Sequence, residues 1–232
     1  MNATCLVDFF NIGLSRQASP PSIPTIRDGF ELLISHCHQL HPAIRSLTIR
    51  IYGSWDSEHI EHNYRNAVKK SLDPISRYYK RSRIIFQIAD SLVASPHFIL
   101  KDTLKLRPAY TLQLQVNPVR TNCTISDCEL PKLMKWSKGH CSHPSCSTKL
   151  DACVGVINQK MVDTQIVVDS ITLVNEGMTD LLLVASEDQD FIPMFVYLAQ
   201  RPIPLTQLIR KREYDPYYAK HLNGLGVQTS KW

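Results

Sequence analysis

Ala3 to Ile12 reads ATCLVDFFNI, a short run rich in Val, Phe and Ile that a single charge, Asp8, interrupts. Its length and side-chain type predict a buried strand ending near Asp8. A carboxylate inside such a run is costly unless donors or a cation meet it. The stretch therefore sets both the fold and the place to look for chemistry. A Ser/Pro-rich loop, Ser15 to Pro24, follows it, and Ile26 to Leu40 then carries Phe30, Leu33, Ile34 and Cys37 at helical spacing. Ser46 to Trp55 (SLTIRIYGSW) alternates like a strand and closes on Gly53, and Ser57 to Leu72 is polar and helix-compatible. Arg83 to Ala89, Asp180 to Ser186 (DLLLVAS) and Ile203 to Ile209 supply three more strands, with helices expected at Asn158 to Asn175 and Asp190 to Gln200. Alternation of this kind predicts an α/β fold, a mostly parallel sheet covered on both faces, built as a single domain over 1–232.

From Lys101 to Ala152 the rhythm breaks, and this interval is read as an insertion. It holds four of the seven cysteines and several prolines. Cys123 and Cys128 have four residues between them, as do Cys141 and Cys146, and His140 and His143 sit beside the second pair. Four thiolates close a tetrahedral Zn²⁺ site, and imidazole can replace any of them. Reduced cytosolic thiols are the other reading of the same residues. Cys5, Cys37 and Cys153 read as small core residues.

The net charge of +5 is unevenly spread. From Arg77 to Lys149 there are 12 Lys and Arg against 4 Asp and Glu, whereas the remainder carries 14 basic and 17 acidic residues. A basic middle and acidic ends suit a polyanion crossing a basic flank, or a solvated basic face with no ligand. Arg77, Tyr78, Tyr79, Lys80, Arg81 and Arg83 interleave cations with aromatics, as backbone contacts and base stacking on a single strand require. A helix end with inward-packed tyrosines has the same composition. Lys132 and Lys135 around Trp136 offer the insertion as a second grip on RNA, or as a docking site for a protein partner or a second copy. A hydrophobic content of 44% with no run near membrane-spanning length points to a soluble protein without membrane partners. Asp8 within the first apolar stretch, with no basic residue before it, argues against a secretory signal, so a cytoplasmic location is expected.

Acidic clusters carry the chemistry. Asp8 to Asn11, Lys160 to Asp163, and Ser186 to Asp190 stand at or near the ends of predicted elements. In an open parallel sheet ligands collect beyond the carboxyl ends of the strands, which favours Asp8 and Asp188. Lys160 and Asp163 are expected on one face of the helix after the insertion. Crowded carboxylates repel one another unless a divalent cation reverses the cost, so Asp8, Asp163 and Asp188 are read as holding Mg²⁺ or Mn²⁺. Asp190 is open to two roles, metal ligand or N-cap of the following helix. Asn11, Ser186 and Asp169 are expected to orient the ligands.

VDFFN resembles the opening VDxxN of NYN-domain proteins of the PIN-like nuclease superfamily. KMVDTQIVVD resembles their K-G-V-D helix with an Asp six residues on, and VASEDQDF their V-S-G-D-x-D-F segment. The resemblance covers the chain apart from the insertion. It implies a Rossmann-like three-layer α/β/α sandwich and a Mg²⁺- or Mn²⁺-dependent ribonuclease whose acidic centre is Asp8, Asp163, Asp188 and Asp190, acting on single-stranded RNA or structured RNA such as tRNA. Met161 and Glu187 stand where the family has glycine. The mechanism implied is hydrolysis by metal-activated water, with Lys160 neutralising charge at phosphorus. Two rivals remain: an RNA-binding or regulatory module with a vestigial site, and a structure-specific DNA nuclease.

Overall fold

In the computed structural model, residues 1–12, 22–53, 55, 63–75, 82–101, 103–108, 143, 145–148, 155–159, 161–210 and 216–232 are described. The chain divides into two compact units, Met1–Thr103 with Gln159–Trp232, and Leu104–Asn158.

The first unit is built on six parallel strands: β1 (Asn2–Asp8), β2 (Ser46–Tyr52), β3 (Arg83–Ile88), β8 (Leu181–Ala185), β9 (Leu205–Ile209) and β10 (Val227–Lys231). Their order is β3-β2-β1-β8-β9-β10. Every neighbouring pair runs parallel, with Asp8 opposite Tyr52 on one side of β1 and Val7 opposite Ala185 on the other. Such a sheet is buried on both faces, which is why β8 reads as a continuous apolar run and why β1 from Ala3 onward and the whole of β9 are buried with no alternation.

Period two then sorts the side chains. Cys5 and Val7 face the core packed by α1 (Ile23–Leu40) and α2 (Asn63–Leu72), through Phe30, Leu33, Ile34 and Val68. Leu6 faces the core packed by α3 (Val162–Asn175), α4 (Ile192–Leu198) and α5 (Pro216–Gly224), through Ile166, Phe195 and Leu222. The result is an α/β fold with helices on both faces of the sheet, compatible with a Rossmann-like arrangement. Strand order reverses between β1 and β8, and that is where such sheets open a crevice.

Local signals place the helix ends. Ser22 caps α1 by accepting the Thr25 N–H, with Pro24 in the first turn. At the far end of α3, Gly177 takes φ +64°, and the Met178 and Gly177 N–H groups return to the carbonyls of Leu173 and Val174, a Schellman closure.

Some expectations shift. The helix foreseen from Asn158 starts at Val162, because Gly155–Gln159 is a strand, β7, paired with β6 (Leu104–Pro108). A 3₁₀ turn, Gln189–Phe191, precedes α4. The hairpin of β4 (Ser91–Leu92) with β5 (Ser95–Ile99), and the pair α5 and β10, have no counterpart in the sequence reading. Among the described residues no helix is long and apolar enough to cross a membrane.

Met161, the residue before α3, has φ 67°, the one positive φ among described non-glycine residues. Its role is thus backbone geometry more than helix packing. The left-handed region costs an L residue about 1–2 kcal/mol, and glycine gives back about 0.5–1 through the unfolded chain. Met161→Gly is expected to stabilise by up to about 1 kcal/mol, raising Tm by a few degrees. Thermal melts of Met161→Gly and Met161→Val should move in opposite directions; a fall for glycine would contradict the strain.

Candidate active site at the carboxyl ends of the central strands

Asp8 is the last residue of β1 and only 1% exposed. The chain turns at once after it, because the Asn11 and Ile12 N–H groups both return to the Asp8 carbonyl. That turn brings the Asn11 side chain back over the carboxylate. Asn11 Nδ2 donates to Asp8 Oδ2 at 2.9 Å, and Ser186 Oγ donates to the same oxygen at 3.3 Å. These donors are neutral, so burial dominates and pushes the Asp8 pKa up to about 6; the Asn11 hydrogen bond opposes this and the Asp163 charge adds to it.

β8 delivers the second part. Ser186 follows its last residue, donating to Asp8 and accepting the Asp188 N–H at 3.2 Å. Asp188 Oδ2 accepts from Asn11 Nδ2 at 3.3 Å, so one carboxamide joins Asp8 to Asp188. Its other oxygen accepts the Asp190 N–H at 2.9 Å. Asp188, not Asp190, therefore caps the 3₁₀ turn, and Asp190 is left exposed. Asp163, in the first turn of α3, is exposed, yet partial desolvation followed by the charges of Asp188 and Asp190 raises its pKa. Asp8, Asp163, Asp188 and Asp190 thus share one negative patch at the strand-order reversal.

Among the described residues no three His, Cys, Asp or Glu side chains converge closely enough to form a ready-made metal cage. The donors present are carboxylate and carboxamide oxygens, the hard set that Mg²⁺ and Mn²⁺ prefer. Mg²⁺ usually takes only one or two carboxylates directly and meets others through water, so the patch fits a hydrated ion.

Asp169 does not belong to this patch. It is fully buried on α3 and accepts from Arg50 Nε at 3.0 Å, the Tyr52 hydroxyl at 2.8 Å and the Val93 N–H at 2.7 Å. Arg50 also donates to the Tyr52 hydroxyl and to the Ser91 carbonyl. Asp169 ties α3 to β2 and the hairpin; it does not orient the acids. Glu187, on the β8 loop, accepts the Arg210 N–H and so helps fix the end of β9. Arg83 stands at the amino-terminal end of β3, the edge of the sheet opposite Asp8, so it is not brought to the acids. Lys160, the nucleic-acid candidates Arg77, Tyr78, Tyr79, Lys80, Arg81, Lys132 and Lys135, and the zinc candidates Cys123, Cys128, Cys141 and His140 lie outside the described residues. Of the remaining zinc candidates, the Cys146 N–H donates to the His143 carbonyl and His143 Nδ1 bonds Ser145 Oγ.

Arg210 was missed. It follows β9, its guanidinium sits 5.3 Å from the centre of the Trp232 ring, and Nη1 reaches the Ile12 carbonyl at 3.4 Å. A cation directly after a buried strand was the signal, the same positional argument that found Asp8.

Phe9 and Phe10, next to Asp8, pack against Trp55 with ring centroids 5.8 and 6.4 Å away. Gly53 permits this: a Cβ there would meet the Trp55 ring at 2.7 Å, and Trp55 is only 6% exposed. Gly53→Ala is expected to cost about 1–3 kcal/mol by overpacking, visible as a lower urea midpoint. An unchanged midpoint would show that the indole can move freely. Comparison with family models, curated proteins and solved structures returns no match, and the functional reading rests on the residues described above.

Proposed function

We propose that this chain is a metal-dependent phosphodiesterase cleaving RNA, built on a PIN-like plan of the NYN type. The observation that carries the proposal is Asp8, a buried carboxylate at the strand-order reversal, linked through Asn11 to Asp188 and facing the charge of Asp163. Such a concentration of negative charge is unfavourable in isolation and becomes favourable around a hard cation.

Asp8, Asp163 and Asp188 would hold the ion or its waters, with Asp190 at the open rim. Bound Mg²⁺ or Mn²⁺ supplies Lewis acidity and a water of lowered pKa at the phosphodiester. Asn11 and Ser186 keep the Asp8 carboxylate in one orientation and leave Asp188 tied to it. Arg210, on the same edge, supplies a cation for a non-bridging phosphate oxygen or a flanking phosphate. The basic segment between Arg77 and Lys149 and the resemblance of the three motifs support RNA as the polyanion.

The test is incubation of the purified chain with labelled single-stranded RNA, tRNA and DNA in Mg²⁺, Mn²⁺ or EDTA. Metal-dependent RNA cleavage that EDTA stops is the expected result. Tight RNA binding with no turnover in either metal would overturn the hydrolase in favour of a binding module, and cleavage confined to DNA would overturn the choice of RNA.

A further inference from the structure

A cleft of about 460 Å³ opens beyond the carboxyl ends of β2 and β3, where Gly53 and Ala89 line it. This is the edge of the sheet that carries Asp8, and the volume falls in the range of about 300–1,000 Å³ usual for small-ligand sites. The cleft and the acidic patch share a wall: Trp55, which lines the cleft, packs on Phe9 and Phe10, the two residues after Asp8. Since adjacent strands lie about 4.8 Å apart, the ends of β1 and β3 are separated by roughly 10 Å, within the reach of one or two nucleotides.

The lining is chemically mixed in a particular way. Trp55 and the half-exposed Ile99 give apolar faces. Arg65 is held by Asp90 through two contacts, Nε to Oδ1 at 3.3 Å and Nη2 to Oδ2, yet both side chains remain partly open, 37% and 29% exposed. A guanidinium pinned at two points loses little freedom when a planar ring stacks on it. Asn66 and Lys101, both exposed, add a carboxamide and a positive charge. Among the described lining residues, the formal charges of Arg65, Lys101 and Asp90 sum to a positive value, whereas the neighbouring patch is acidic. With no metal bound, the acidic patch repels a phosphate, whereas the Arg65 and Lys101 side chains are of the sign that attracts one.

From this we infer that the cleft is a nucleotide subsite that holds a base of the substrate strand next to the cleavage site. The base lies against the Arg65 guanidinium and the apolar wall, its polar edge meets Asn66 and the remaining lone pairs of Asp90, and Lys101 meets the adjoining phosphate. The inference rests on the phosphodiesterase reading for its meaning, but its binding chemistry can be tested separately.

The experiment titrates the full, isotope-labelled chain in EDTA with AMP, GMP, CMP and UMP, and with ribose 5-phosphate and inorganic phosphate, following the Trp55 indole and Asn66 carboxamide NMR signals. At least one nucleotide should shift both signals, with ribose 5-phosphate binding tenfold or more weakly. Asn66→Ala and Lys101→Ala, at exposed positions, should each weaken the nucleotide by about threefold to tenfold without altering the fold. Ribose 5-phosphate or phosphate binding as well as any nucleotide would overturn the subsite in favour of a plain anion site. No shift with any nucleotide, or variants that bind like wild type, would overturn it outright. RNA cleavage in Mg²⁺ alongside absent nucleotide binding removes the cleft and spares the hydrolase. Nucleotide binding without cleavage in any metal supports the cleft and removes the hydrolase.

Discussion

Asp8→Asn is expected to lower metal-dependent RNA cleavage by at least about 10²–10³-fold, the loss usual for one well-placed electrostatic group in a dry site, while making the protein more stable at neutral pH. Loss of activity alone would be uninformative, because any unfolding variant shows it. Asp8 has its pKa raised from 3.8 to about 6, mainly by burial. For an acid with a raised folded-state pKa, the folded form binds more protons between those two values, so stability falls as pH rises from about 4 to 6 and the deficit persists above. The deficit is on the order of 3 kcal/mol. Asparagine is neutral, so the variant should melt several degrees higher at pH 7.5 and lose that advantage below pH 4. Mg²⁺ or Mn²⁺ should narrow the gap at pH 7.5 by stabilising wild type and not the variant. Asp8→Asn with wild-type cleavage would remove Asp8 from the chemistry; a lower melting temperature at pH 7.5 would show that the amide breaks the Asn11 and Ser186 bonds more than it relieves the charge.

Arg50→Met should be the most destabilising single change, with no direct effect on the acids. Arg50 Nε meets Asp169 at 3.0 Å, and the Asp169 side chain is fully enclosed. Removing the guanidinium strands a carboxylate in the second core. Breaking a buried pair in this way typically costs about 3–5 kcal/mol, a drop on the order of 10 °C for a domain of this size. Adding Asp169→Asn should recover at least half, since the amide removes the charge, keeps its carbonyl for the Val93 N–H and turns its NH2 toward the Tyr52 hydroxyl oxygen, which can accept. Chemical denaturation of the two single variants and the double variant closes the cycle. Equal stability of wild type and Arg50→Met would mean that Asp169 is protonated or reached by water.

Arg50 also marks where the sequence was harder to read. In SLTIRIY it falls between Ile49 and Ile51, and alternation suggests a solvent face. In a sheet covered on both sides there is no solvent face, so a mid-strand charge must find an internal partner. Asp169 was recognised as a helix residue near the acids, but spacing along a helix cannot say which neighbouring element an acid meets. Asp8 was legible because an acid that ends an apolar run has few places to go. Asp188 was legible for the same reason, from DLLLVAS, which had to be a strand on any period. The Asn11 link between Asp8 and Asp188 was not, since it depends on the tightness of one turn. The start of α3 was placed too early: GVINQ is five residues long, fits helix or strand equally, and becomes a strand through pairing with a segment far back in the chain. α5 and β10 escaped for lack of apolar content, PYYAKHLNG and VQTSK being largely polar at a sheet edge.

The topology has a cost during synthesis. β1 is made first yet lies in the middle of the sheet, and its neighbour β8 supplies Ser186, 178 residues beyond Asp8. On the ribosome, β1, β2 and β3 can pair early, but one side of β1 then stays bare, an apolar edge open to other nascent chains. The acidic patch is equally late, since Asp188 does not exist until most of the chain has emerged. On the proposed reading as a hydrolase, the site therefore stays incomplete for as long as the chain is being translated.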